Sequence, residues 1–281
     1  MELRLVGSEM CIRDRFSTCI MNYIRFVTAF LFLYCMVFAD KDFVVPDSYT
    51  TKEWKTKEGG NFLYRTAKPT KLAKGKKYPL LVFFHGAGGR GNDNIKQLLD
   101  AGGVEAFEKQ KLRTLRESHV FAGQVPSGER WVDVGWNLLS HRMPKISESM
   151  KMTFEAMDAY VRDGENQVDP NRIYVMGLSM GGYGTWDALQ RRPGFFAAAV
   201  PICGGGDASY AEELASTPIW AWHGEKDKVI KPMRSREMIN SIRKAGGTPK
   251  YTEIRNRGHN SWVEVWNSQE LWDWLYSQKK G

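Results

Sequence analysis

The chain has 281 residues, 42% of them hydrophobic and 12% aromatic, with 27 Gly and 11 Pro. That is enough apolar surface for a sizeable core, which excludes a disordered, collagen-like or low-complexity chain, and a mean hydropathy of -0.44 excludes a polytopic membrane protein. The formal net charge of +8 comes from Lys and Arg scattered among Asp and Glu without a long basic block, so it reads as a solvated surface; no nucleic-acid partner is expected.

Residues 5–15 resemble a translated sequencing adapter, and residues 1–20 are read as a non-native extension. Met21 opens a more natural start. Residues 21–25 supply a short positive region, residues 26–38 are apolar or small, and Val37-Phe38-Ala39 offers the small residues that a signal peptidase needs. The stretch 21–39 therefore reads as a signal peptide cleaved before Asp40, implying a secreted or periplasmic protein with no stable membrane anchor afterwards. Cys11, Cys19 and Cys35 precede that point. Cys203 is left alone, as a buried small hydrophobe or, more sharply, a nucleophile.

Residues 40–281 read as one domain, since no repeat, linker or composition shift divides them. Residues 51–57 and 61–66, separated by Glu58-Gly59-Gly60, predict a hairpin. Residues 78–85 form a continuous apolar run of the kind buried on both faces of a sheet. Similar runs follow at 120–125, 173–177, 197–202 and 219–223, with a possible strand at 251–254. Helical spacing marks 146–160, 183–190, 233–245 and 270–278. Strands alternating with helices predict an α/β fold with a mostly parallel sheet covered on both faces, its chemistry in the loops at the carboxyl ends of the strands.

Gly177-Leu178-Ser179-Met180-Gly181 follows a predicted strand and precedes a predicted helix, the context in which G-x-S-x-G presents a nucleophilic serine on a strained turn. A serine nucleophile needs a base, and the base an orienting acid, in the chain order Ser, Asp or Glu, His. His259 lies in a polar loop before the last helix and is the expected base, whereas His223 closes a strand and reads as structural. Asp227 is the expected acid, with Glu225 and Asp207 as alternatives. The Met180 N–H, next after the serine, and the Ala87 N–H in His85-Gly86-Ala87-Gly88-Gly89 are the expected oxyanion donors. That loop lacks both a P-loop Lys-Ser/Thr pair and a G-x-G-x-x-G register, which disfavours nucleotide binding. The irregular stretch 126–145 carries Trp131 and Trp136, and Trp262 lies close to His259; all three are candidate walls of a substrate pocket. The dispersed histidines show no metal-ligand spacing, so no metal is expected.

These motifs, with Asp169-Pro170-Asn171-Arg172-Ile173-Tyr174 before the serine turn and Asn260-Ser261-Trp262 after the histidine, resemble the α/β-hydrolase superfamily over about residues 51–278. Within it the chain is similar to secreted bacterial esterases of the predicted-peptidase and phospholipase/carboxylesterase-like group, related to feruloyl esterases, acetylxylan esterases and polyhydroxyalkanoate depolymerases. The resemblance implies a Ser-Asp-His triad, no cofactor, and hydrolysis of a small-molecule or polysaccharide-linked ester. Only about fifteen residues separate the strand ending at Ile202 from the one near Pro218, too few for a large helical cap. A serine peptidase with the same machinery and a non-catalytic binding protein on the same scaffold are the alternatives.

Overall fold

The computed structural model describes residues 43–57 and 59–281. The expected extension, the signal segment, Cys11, Cys19, Cys35 and Glu58 lie outside the described residues. Eight strands form one sheet: β1 (Thr50–Lys55), β2 (Asn61–Ala67), β3 (Tyr78–Phe84), β4 (His119–Gly123), β5 (Val168–Leu178), β6 (Ala198–Ile202), β7 (Trp220–Gly224) and β8 (Lys250–Ile254). Their order is β1-β2-β4-β3-β5-β6-β7-β8. β2 runs antiparallel to both β1 and β4, and every pairing from β4 to β8 is parallel.

The helices are α1 (Lys96–Leu99), α2 (Gly103–Lys109), α3 (Glu148–Arg162), α4 (Met180–Arg191), α5 (Ala211–Leu214), α6 (Met233–Lys244), α7 (Trp262–Asn267) and α8 (Gln269–Ser277). Residues 203–219 hold only a 3-10 turn and the four-residue α5, in line with the absence of a large cap there. Two of the longer helices begin where the sequence supplies a cap: Ser147 Oγ accepts Met150 N–H at the start of α3, and Ser268 Oγ accepts Leu271 N–H at the start of α8.

Every residue of β3 is buried, and the strand feeds two cores by simple alternation. Leu80, Val82 and Phe84 join the α3, α4 and α6 side, packing with Met157, Trp186 and Ile239. Leu81 and Phe83 join the opposite side, with Phe107 of α2 and Trp266 and Trp272 of α7 and α8. Each such buried aliphatic or phenyl group contributes about 1.5–3 kcal/mol over an exposed one. A sheet covered on both faces leaves its loops at the carboxyl edge as the place where polar side chains can gather. α1, α2, α5 and α7 have no counterpart in the sequence expectation: α1, α5 and α7 are too short for a clear period, and α2 follows a glycine pair that reads as loop.

Candidate active site

Ser179 occupies the one-residue step from β5 to α4 with φ 55 and ψ -115, a conformation strained for any residue with a Cβ. Close packing imposes it. A Cβ on Gly177 would lie 2.7 Å from Phe84 O, and one on Gly181 would run into that same carbonyl. The flanking glycines of the motif are thus needed to bring the start of α4 against the end of β3. Ser179 N–H donates to Ile202 O at 2.9 Å, which fixes the turn against β6 as well.

Three loops bring partners to this serine. The Ser179 hydroxyl donates to His259 Nε2 at 2.8 Å, and His259 Nδ1–H donates to Asp227 Oδ2 at 2.7 Å. Because a carboxylate only accepts, Asp227 dictates the tautomer, leaving Nε2 free to take the serine proton. Asp227 is itself held by Val229 N–H and Ile230 N–H on Oδ1, at 2.8 and 3.0 Å. Burial alone would raise its pKa, but hydrogen bonds from His223 and His259 outweigh this and hold the carboxyl well below its usual range. The other two acid candidates point elsewhere. Glu225 accepts Asn256 N–H on the exposed side of the loop, and Asp207 caps its own turn through Ser209 N–H while accepting Met143 N–H at 2.8 Å.

Two neighbours of this relay were not legible in the sequence. His223 does close β7, fully buried as a structural residue would be, but its Nε2 donates to Ile230 O at 2.9 Å and also faces Asp227 Oδ2 at 3.2 Å. Asp227 therefore lies between two histidines; the His-x-x-x-Asp spacing was the available signal. Cys203, buried as expected, follows β6 with φ 40 and lies beside His259. Burial disfavours a charge on His259, yet the Cys203 sulfur and the Asp227 carboxylate together favour the imidazolium and raise its pKa. Cys203, Asp227 and His259 also place one donor atom each within 4.8 Å of one another, the one such trio among the described residues. Asp227 and His259 are already bonded to each other, so a metal there would have to break the relay.

Met180 opens α4, so its N–H has no acceptor within the helix. Ala87 opens the 3-10 turn Ala87–Gly89 after β3. This loop abuts the serine turn, since a Cβ on Gly86 would sit 2.7 Å from Leu178 Cδ1. Beneath it, His85 is completely buried; Nε2 accepts Val125 N–H at 3.0 Å, so Nδ1 carries the hydrogen and donates to Gly86 O at 2.6 Å. Burial pulls the His85 pKa down to about 4, keeping the ring neutral.

The tryptophans separate. Trp131 is fully buried, stacked at a tilt 4.7 Å from Phe84, with Nε1–H donating to His85 O at 3.0 Å. This corrects its reading as a pocket wall: the indole supports the 85–89 loop from the core side. Trp136 is half-buried under the Arg130 guanidinium, 5.1 Å from its ring, while Trp262 meets the His259 ring edge-on at 5.4 Å and backs it. The 126–145 stretch is tied down by Arg234 Nη1–H to Leu139 O at 2.9 Å and by Arg191 Nη2–H to Pro144 O at 2.7 Å. Among the described residues, no helix is long and apolar enough to cross a membrane.

Residues 128–212 match the prolyl oligopeptidase family model. Among solved structures, a thermostable esterase is 34% identical with a TM-score of 0.76, covering 83% of this chain and 64% of its own. The uncomplexed acylaminoacyl peptidase of Pyrococcus horikoshii shares the fold at 15% identity and a TM-score of 0.61, over 83% of this chain and 42% of that one. Of curated proteins, an "Uncharacterized secreted protein" of Arthroderma benhamiae is 26% identical over 238 residues, 72% of this chain but 24% of that protein. A "Probable carboxylesterase SOBER1-like" protein of Arabidopsis thaliana is 22% identical over 216 residues, 68% of this chain and 78% of that one. The chain thus spans about a quarter of the fungal relative and under two thirds of the esterase. With this sheet order, the serine turn after β5 and these relatives, the chain belongs to the α/β-hydrolase superfamily.

Proposed function

We propose that the chain is a secreted serine esterase that cleaves carboxylic esters, free or linked to a polysaccharide, through an acyl-enzyme. Ser179 Oγ attacks the ester carbonyl as His259 Nε2 takes its proton, and Asp227 holds the tautomer and stabilises the imidazolium. The N–H groups of Met180 and Ala87 hold the tetrahedral oxyanion. His259 then passes its proton to the departing alcohol, the acyl group stays on Ser179, and a water activated by His259 releases the acid. The observation that carries this reading is the unbroken pair of hydrogen bonds from Ser179 through His259 to Asp227, on a serine held at positive φ. Ester over peptide is favoured by the esterase at 34% identity and by the carboxylesterase-like relative. Secretion follows from residues 21–39 read as a signal peptide, residues 40–281 being the catalytic domain; the fungal relative's description supports it.

The second reading, a serine peptidase, is favoured by the match of residues 128–212 to the prolyl oligopeptidase family. Turnover of p-nitrophenyl esters of rising acyl length, methyl ferulate and a peptide anilide panel, by the chain from Asp40 and by Ser179→Ala, separates the two. The expected result is ester turnover that requires Ser179, without anilide cleavage. Anilide cleavage exceeding ester turnover would favour the peptidase, and ester turnover surviving in Ser179→Ala would refute the mechanism.

A further inference from the structure

The serine esterase reading requires an oxyanion donor from the loop after β3, and nothing in a glycine-rich loop by itself aims one. Glycines populate several backbone conformations, and fixing each residue costs about 1–2 kcal/mol. Here the loop is held from outside at almost every peptide. His85 Nδ1–H donates to Gly86 O at 2.6 Å, Arg90 Nε–H to Ala87 O at 3.0 Å, and Gln124 Nε2–H to Gly89 O at 3.1 Å. On the N–H side, Gly89 N–H donates to Gly86 O at 3.2 Å within the turn, and a single side chain supplies the hold from outside. Asp100, in the segment between α1 and α2, accepts Gly86 N–H on Oδ2 at 2.6 Å.

That carboxylate is 8% exposed. A carboxylate out of water is costly unless its oxygens are bonded, and these two spend their bonding on the loop. Oδ1 faces Gly88 so closely that a Cβ there would run into it, and a Cβ on Gly86 would lie 2.9 Å from Oδ2. Burial raises the Asp100 pKa and outweighs the Gly86 and Gly89 N–H groups, the Arg90 cation and His259, which lower it, so that the balance stands at about 6. Planarity of the trans peptide supplies the rest. Among the described residues no peptide is cis. With Gly86 O turned to the His85 ring, the Ala87 N–H of that same peptide must point the opposite way, and with Gly86 N–H taken by Asp100, Ala87 N–H is the first in the loop left for a substrate.

We propose that Asp100 is a positioning residue for the oxyanion hole: its carboxylate clamps Gly86 N–H and bears on Gly88, holding the loop so that Ala87 N–H faces the carbonyl attacked by Ser179. Asp100 touches no reacting atom and acts through the backbone. This rests on the esterase reading above and deepens it.

The test compares native chain, Asp100→Asn, Asp100→Ala and Gly88→Ala on a p-nitrophenyl ester and on its thionoester, in which sulfur replaces the carbonyl oxygen. An intact oxyanion hole favours oxygen over the longer, weaker-accepting C=S, so the ester-to-thionoester ratio of kcat/KM reports the hole and not the folded fraction. Asp100→Ala lowers kcat on the ester about 100-fold, the scale of an ångström-sized misplacement, with KM little changed and the ratio collapsed. Asp100→Asn keeps one acceptor for Gly86 N–H and loses less. Gly88→Ala, which leaves the carboxylate in place but pushes the loop off it, reproduces the collapsed ratio even if Asp100→Ala folds poorly. Native-like kcat and ratio in these variants, or a fall in kcat at an unchanged ratio, would overturn the proposal alone; no Ser179-dependent turnover in the native chain would overturn the esterase reading with it.

Discussion

The two halves of the site are built by different physics. The serine half is steric and local: Gly177, Ser179 and Gly181 sit within five residues, and their conformation follows from backbone packed against Phe84. The acid–base half is electrostatic and long-range: His259 and Asp227 come from loops 32 residues apart, and their geometry depends on Val229, Ile230 and His223 meeting one carboxylate. The first half therefore tolerates little change in shape, and the second little change in hydrogen-bond polarity.

Substitutions that respect shape but alter chemistry sharpen this contrast. Ser179→Gly removes the nucleophile and is expected to lower kcat about 10⁶-fold. It also relieves a positive-φ strain on the order of 1–2 kcal/mol, so denaturant unfolding should show a more stable protein; an unchanged or lower stability would argue that the turn is not strained. Asp227→Asn keeps the volume. Two backbone N–H groups demand an oxygen at Oδ1, so the amide nitrogen must face His259 Nδ1, which forces the wrong tautomer. A loss of about 10⁴-fold in kcat is expected with little change in melting temperature; a loss under tenfold would remove Asp227 from the relay.

A change of shape on the loop-supporting side acts on stability instead. Trp131→Ala empties a fully buried indole site between Phe84 and His85 and should cost about 4 kcal/mol by chemical denaturation. Relative activity on short and long acyl esters should not change, whereas a changed acyl preference would return Trp131 to the pocket.

The smallest expected effect is on pH dependence. His259 must be neutral to accept the Ser179 proton, and its raised pKa means that activity is lost as pH falls through a value above the ordinary 6.5 of histidine. Cys203→Ala removes one of the groups that raise it. The acid limb of kcat/KM should then shift to lower pH, and a limb that stays in place would show that the sulfur does not influence the base.

The same contrast explains what could be read before folding. The G-x-S-x-G turn is written in consecutive residues, and the alternating strands and helices predict the sheet around it. His259 and Asp227 could be chosen by chain order and loop position, but nothing local distinguishes Asp227 from Glu225 until Val229 and Ile230 N–H are seen on its carboxylate. His223 is legible as the buried end of a strand, but its approach to Asp227 is not, because that contact is made by tertiary closure. Asp100 sits in a segment with no periodic signal, 14 residues from the Gly86 N–H it binds. Trp131 misled because a tryptophan in an irregular stretch looks available, whereas here the stretch folds back and buries it.

The central claim is that Ser179 is the nucleophile, activated through His259 and Asp227. Intact-mass and peptide mass spectrometry after brief exposure to a fluorophosphonate tests it most directly, in the native chain, Ser179→Ala and Asp227→Asn. The account predicts one adduct per chain on the peptide containing Ser179, none in Ser179→Ala, and slow labelling in Asp227→Asn. Equal labelling in Ser179→Ala, or an adduct on Cys203 or any other residue in its place, would contradict it.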